Sequence, residues 1–188
     1  MRQSALVYYF DSCIAPLAVL VLIVYAALHA DPLWLAFLVP GLLGWTFVEY
    51  LIHRYIYHHV PGYVGLHDAH HKEPTALIGS PPGSGTILIL IVVMLPLSYI
   101  GEAVGLGFGT GFLAGYALYQ TAHHAVHFWK ARHGSFLYRL RLHHMRHHYG
   151  KEEGNFGVST PLWDHVFGTL LQRRGRQAAE PNADPIGS

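Results

Sequence analysis

Ten histidines fall into four groups along this 188-residue chain: His53-x4-His58, His67-xx-His70-His71, His123-xxx-His127 and His144-xx-His147-His148. Neutral imidazole is the side chain that holds iron, copper or zinc at physiological pH. Ten donors exceed what one ion accepts, because a catalytic zinc takes three protein ligands and a structural one four. The count predicts two metals. A metal-sequestering tract would be short and compositionally biased, and scattered core histidines would bond to backbone. Repetition of the i, i+3, i+4 spacing between hydrophobic spans argues against both.

On an α-helix, positions i, i+3 and i+4 share a face. His67, His70 and His71 therefore project together, as do His123 with His127, and His144 with His147 and His148. His53 and His58 are five apart, about 140° around a regular helix. Unless the helix bends or ends between them, that pair is expected to address two ions, or two sides of a cluster.

The elements that position these groups are apolar. Hydrophobic residues make up 52% of the chain and charged residues 12%, which is low in charge for a soluble globular protein. Four stretches lacking an interior Lys or Arg approach the length that crosses a bilayer: Ile14–His29, Leu33–Ile52, Thr86–Ile100 and Ala103–Ala122. Only Ala30 to Pro32 separate the first two, and only Gly101 and Glu102 the last two, so each pair reads as a tight helical hairpin. Both turns then lie on one side, and all twelve Lys and Arg lie on the other. The positive-inside rule makes that second side cytosolic, and the histidines share it.

The fold expected is all-α: an integral membrane protein with four transmembrane helices in two hairpins and a cytosolic histidine-rich cap holding a dimetal site. Residues 1–172 form this domain, and 173–188 a polar tail. The first span is too long for a signal-peptide core and is read as an uncleaved helix. A lone Cys13 excludes an internal disulfide and a thiolate site, and is read as packing. Arg139, Arg141, Arg146 and Lys151 alternate with Phe136, Tyr138, Leu140, Leu142 and Tyr149, a mixture suited to the headgroup level. A net charge of +1 argues against nucleic acid as a partner.

These motifs resemble the fatty acid hydroxylase/sterol desaturase superfamily of integral-membrane oxygenases, through Glu49-Tyr-x-x-His53-Arg54-x-x-x-His58 and the three later histidine groups with Lys72 and Tyr149. Asn155-Phe-Gly-Val-Ser-Thr-Pro-Leu-Trp-Asp-His-Val-Phe-Gly-Thr169 is similar to the fatty acid 2-hydroxylase branch. The resemblance implies that His53, His58, His67, His70, His71, His123, His127, His144, His147 and His148 ligate two iron ions. It also implies O2 as co-substrate, a lipid substrate drawn from the bilayer, and hydroxylation of an acyl chain, at C2 by the branch. His59, His124 and His143 neighbour ligand positions, and the resemblance leaves open which member of each adjacent pair binds. His29, His133 and His165 lie outside the pattern.

An unactivated C–H bond does not yield to acid–base groups at pH 7, so the implied reaction needs a metal that changes oxidation state. Zinc fits many of the same contacts and lacks that redox step, so purified material could hold zinc and be inactive. No His-Pro-Gly-Gly haem motif is present, and His59-Val-Pro-Gly62 is not one. Electrons are then expected from a separate protein, cytochrome b5-like or ferredoxin-like. Gln120 stands where relatives often carry aspartate. Glu49, Asp68, Glu73 and Asp164 are candidates to fix imidazole tautomers, and Trp45, Trp129, Phe156 and Trp163 to line a lipid route.

Two further readings stay open. A carotenoid or sterol hydroxylase or desaturase has similar spacing, and the Asn155–Thr169 stretch favours the acyl branch. A non-catalytic metal-binding membrane protein or transporter would place its ligands near mid-bilayer, whereas these histidines sit at span ends.

Overall fold

Ser4 opens the first helix, its hydroxyl accepting from the Val7 N–H at 3.4 Å and so satisfying one of the donors a helix start leaves open. This helix, α1, runs Ala5–His29. Asp31 turns the chain by accepting from the Leu33 N–H at 2.8 Å, and α2 follows over Trp34–Leu51. The computed structural model describes residues 2–79 and 81–171, so the expected tail at 173–188 lies outside the described residues. α2 passes without a break into a π-helical stretch, Ile52–Tyr57. α3 (Tyr63–Lys72) leads to a composite apolar helix: α4 (Ser84–Ile89), a π turn (Leu90–Met94) and α5 (Leu95–Ile100). That π turn precedes Pro96, which has no N–H to donate to the turn before it. α6 (Glu102–Phe128), α7 (Phe136–Tyr149) and the short α8 (Leu162–Val166) complete the chain. Among the described residues the one extended pairing is the isolated bridge between Arg2 and Ile78.

Each of the four expected stretches falls on a helix, the first of which begins earlier, at Ala5 instead of Ile14. Ala5–His29 and Trp34–Tyr57 are long and apolar enough to cross a membrane, while Ser84–Ile100 is a shorter apolar helix of 17 residues. α1 is built inside out: Ala15 and Ala26 are fully buried, whereas Leu17, Leu20, Val21, Val24 and Leu28 are exposed. Large apolar side chains turned outward on this scale suit lipid rather than water as the surrounding solvent. Cys13 shares that outer exposure, against its reading as a packing residue.

α6 is the central helix, and glycine is the reason. Gly107, Gly111 and Gly115 recur every four residues and so share one face. A methyl group at Gly107 would run into the Trp34 carbonyl oxygen, one at Gly111 into that of Leu38, and one at Gly115 into the Trp45 side chain. α2 therefore packs backbone to backbone on this stripe. Gly105 and Gly109 form a second stripe, against Ser98 and Met94 of the composite helix. The core beside them gathers Ala15, Trp45, Ile89, Phe112, Leu113 and Tyr116.

Gly111→Ala is expected to cost about 1–3 kcal/mol, because two backbones must separate to admit the methyl. Gly65→Ala, in α3 with nothing within 4 Å of the new carbon, should leave stability unchanged or slightly raised. Thermal unfolding of both variants in detergent checks the contrast.

Candidate metal centre

The helices deliver ten imidazoles to one place. Five ligand nitrogens, from His53, His58, His67, His71 and His147, lie within 4.8 Å of one another, and so do four from His70, His127, His144 and His148. His123 joins the second group, its Nε2 3.0 Å from that of His70. The groups abut, with the His71 and His148 rings stacked at 4.2 Å and 13°. All ten predicted ligand positions are thus brought together, five to each group.

Their distribution departs from a simple reading of helical faces. α3 sends its i, i+4 pair His67 and His71 to the first group and His70 to the second. α7 does the reverse, sending His144 and His148 to the second and His147 to the first. His53 and His58 do not address different groups; both belong to the first, with rings stacked at 5.5 Å and 27°. The cause is the π-helical stretch Ile52–Tyr57, whose i→i+5 bonding brings residues five apart onto nearly the same face.

Backbone carbonyls set the tautomers. His53 Nδ1 donates to Phe156 O at 2.5 Å, and His147 Nδ1 donates to Gly154 O at 2.9 Å. A carbonyl only accepts, so each ring carries its proton on Nδ1 and turns the lone pair of Nε2 into the centre. There Nε2 of His67 lies 3.2 Å from that of His53 and 3.1 Å from that of His58, and those of His71 and His147 are 3.1 Å apart. In the second group, His144 Nε2 lies 3.0 Å from those of His127 and His148. Ligands at right angles on an ion with bonds of about 2.1 Å stand about 3.0 Å apart, so the donor set fits a cation in each group.

The carboxylates act one layer further out. Asp164, fully buried, accepts from the Phe156 and Gly157 N–H groups, both at 2.8 Å, from Thr169 Oγ1 at 2.7 Å and from His143 Nε2 at 3.1 Å. Burial pushes its carboxyl up, and these donors outweigh that and hold it below the usual range. Glu49 accepts from Val158 N at 2.6 Å, from Ser159 N at 2.9 Å and from the Ser159 hydroxyl. Both therefore pin the 154–160 loop whose carbonyls orient His53 and His147, instead of taking a proton from a grouped imidazole themselves. Asp68 is exposed and Glu73 pairs with Arg2, so neither touches the centre.

Each adjacent pair resolves. His58, His123 and His144 enter the groups; His59 bonds the Arg54 carbonyl, His124 stacks on Phe128 at 4.4 Å, and His143 holds Asp164. His29 packs beside Tyr25, His133 beside Tyr138, and His165 donates to Pro161 O at 2.8 Å. The expected aromatic route is redrawn as well. A cavity of about 180 Å³ is lined by His53 and His67 of the first group and His70 and His123 of the second, with Tyr8, Tyr57, Tyr63, Leu66, Tyr116, Tyr119 and Ile78 around them. Trp45, Trp129, Phe156 and Trp163 are not in that lining: Trp45 and Phe156 are core residues, Trp129 is exposed, and Trp163 donates to Thr46. No periodicity separates the lining tyrosines from ordinary core aromatics.

The fatty acid hydroxylase family profile matches residues 38–169, and the chain belongs to that family. It is similar to the fatty acid 2-hydroxylases of Mus musculus (35% identity, 78% of this chain and 42% of that one) and Homo sapiens (36%, 72% and 41%). A dihydroceramide fatty acyl 2-hydroxylase of Arabidopsis thaliana is 30% identical over 69% of this chain and 58% of its own. In three dimensions the chain superposes on full-length scs7p, of which only the hydroxylase domain is visible, with a TM-score of 0.72 and 25% identity, over 87% of this chain and 68% of that one. The chain spans less than half the length of the two mammalian relatives.

Burial, and then the charge of neighbouring rings, depress the imidazoles of His67 and His148 to about 2 and that of His70 to about 3. His147 also falls to about 3, through burial opposed by its bond to Gly154. Unfolded, these groups titrate near 6.5. Between the two values the unfolded chain binds protons that the folded one refuses, so stability is full above about pH 6.5 and is lost as pH falls towards 3. Denaturant midpoints of metal-free protein at pH 7.5, 6 and 5 should decline in that order.

Proposed function

We propose that the protein is a membrane-bound hydroxylase that inserts oxygen from O2 into a lipid C–H bond, most directly at C2 of a fatty acyl chain. One observation carries this reading: two imidazole groups, each fit for a cation, open onto a cavity walled mainly by aromatic and aliphatic side chains, with Gln3, Ser12 and Gln120 among them. The family membership and the names of the relatives, all of them lipid hydroxylases, support the substrate class. Each group of five would hold one iron ion. Two such ions supply the change in oxidation state that lets O2, two electrons and two protons convert a C–H bond to an alcohol and water.

The chain's own residues supply the rest. His53 and His147, locked by Phe156 O and Gly154 O, keep their lone pairs aimed before any ion arrives. That preorganisation lowers the cost of binding. Tyr8, Tyr63, Leu66 and Ile78 wall the cavity beside both groups and exclude water around a guest chain. In this reading α1, α2, the composite α4–α5 helix and α6 form four spans in two hairpins, and the shared side of the basic residues and the histidines supports a cytosolic metal centre. Residues 1–172 act as one hydroxylase domain. A separate cytochrome b5-like or ferredoxin-like carrier delivers electrons there, while the lipid arrives from the bilayer.

Metal analysis and lipid profiling of cells expressing the wild type or His147→Ala, supplied with O2 and a donor, test the reading. About two ions per wild-type chain, fewer in the variant, and a hydroxylated lipid made only by the wild type are expected. Zinc-loaded protein should keep its stability and form no product. An unchanged lipid profile overturns the proposal.

A further inference from the structure

The two imidazole groups differ in how the outer nitrogens of their rings are held. In the first, Nδ1 of His53 and Nδ1 of His147 donate to Phe156 O and Gly154 O, so both rings keep Nε2 bare with or without an ion. In the second, Nδ1 of His144 and Nδ1 of His148 are shut off from solvent and meet no hydrogen-bond partner among the described residues. These two rings stand one turn apart on α7, and His144 is the most deeply buried of the ten, only 1% exposed.

That difference decides where a proton has to go. A neutral imidazole carries one proton, on Nδ1 or on Nε2. With no acceptor at Nδ1, the proton of His144 is better placed on Nε2, where the Nε2 atoms of His127 and His148 stand 3.0 Å away to accept it. A cation in this group needs that lone pair, which drives the proton to Nδ1. One hydrogen bond is then given up and a buried N–H is left unmet. Coordination through His148 Nε2 likewise requires a proton on an Nδ1 that has no acceptor. His53 and His147 undergo no such move, because their protons already rest on the loop carbonyls.

We infer that the two metal sites are unequal: the first group is the tight site and the second the exchangeable one, so that at equilibrium the first fills before the second and empties after it. The inference rests on the two-cation reading above and adds to it an order of loading. A chain carrying a single ion holds it among His53, His58, His67, His71 and His147. Such a chain has one half of the centre and lacks the second ion that a two-metal oxidation needs.

The outer partner of a ligating histidine is worth about 10- to 100-fold in metal affinity, so two rings without one predict sites that differ by about a hundredfold or more. Full-length protein loaded with two zinc ions, equilibrated against a graded chelator, should release one ion at a free-zinc level about a hundredfold above the other. Nitrogen NMR spectra of the wild-type imidazoles at the one-zinc plateau should show His144 returned to the Nε2–H form while His53 and His147 stay ligated. His148→Ala should lose the weak step and keep the strong one, and His53→Ala should weaken the strong one. Release of both ions in a single step, His144 still ligated at the plateau, or a strong step unchanged in His53→Ala overturns the inference. Wild-type protein that takes up fewer than two zinc ions at saturation sinks the two-cation reading itself, and this order of loading with it.

Discussion

Neutral imidazoles crowd together with their lone pairs inward only if something else holds their protons outward. In this protein the Gly154 and Phe156 carbonyls do that for His147 and His53, and the loop bearing them is pinned in turn by Glu49 and Asp164. The arrangement joins the ends of the fold. Glu49 comes from α2 and Asp164 from α8, so closing the loop fixes the helix that carries His53 against the segment that follows α7. Buried carboxylates are costly, and each of these two accepts from three or more donors, most of them backbone N–H groups that the loop would otherwise leave unsatisfied.

The second constraint is close helix approach. Glycines on two faces of α6 let α2 and the composite α4–α5 helix come near enough for their ends to converge. Without a hydrophobic driving force inside lipid, such contact depends on packing and on small residues, which this helix supplies at four-residue spacing. The bundle thereby acts as a rigid mount for the histidines at its end.

The centre also shows an internal balance. One continuous helix supplies His53 and His58 to the first group, another supplies His123 and His127 to the second, and α3 and α7 each divide three histidines two to one in opposite senses. Two sites of equal size follow from four elements because an i, i+4 pair keeps to one side of a helical stripe while the intervening i+3 residue leans to the other. A cavity touching both groups then comes without additional structure.

Residue types and spacing alone determined a good deal. The ten imidazoles that gather in the fold and the apolar stretches that become helices were legible because helical period, ligand chemistry and hydropathy are local properties. Tertiary structure decided the rest. That His53 and His58 serve one group depends on a π turn, which no pattern of residue types announces. That Glu49 and Asp164 hold a loop, and that His143 and not His144 meets Asp164, depends on contacts across as many as 110 residues of sequence. The glycine stripes on α6 were visible in the spacing, yet which helix each one meets was not. Spacing says what a residue is able to do, and packing says what it faces, because burial and partner geometry are properties of the assembled chain.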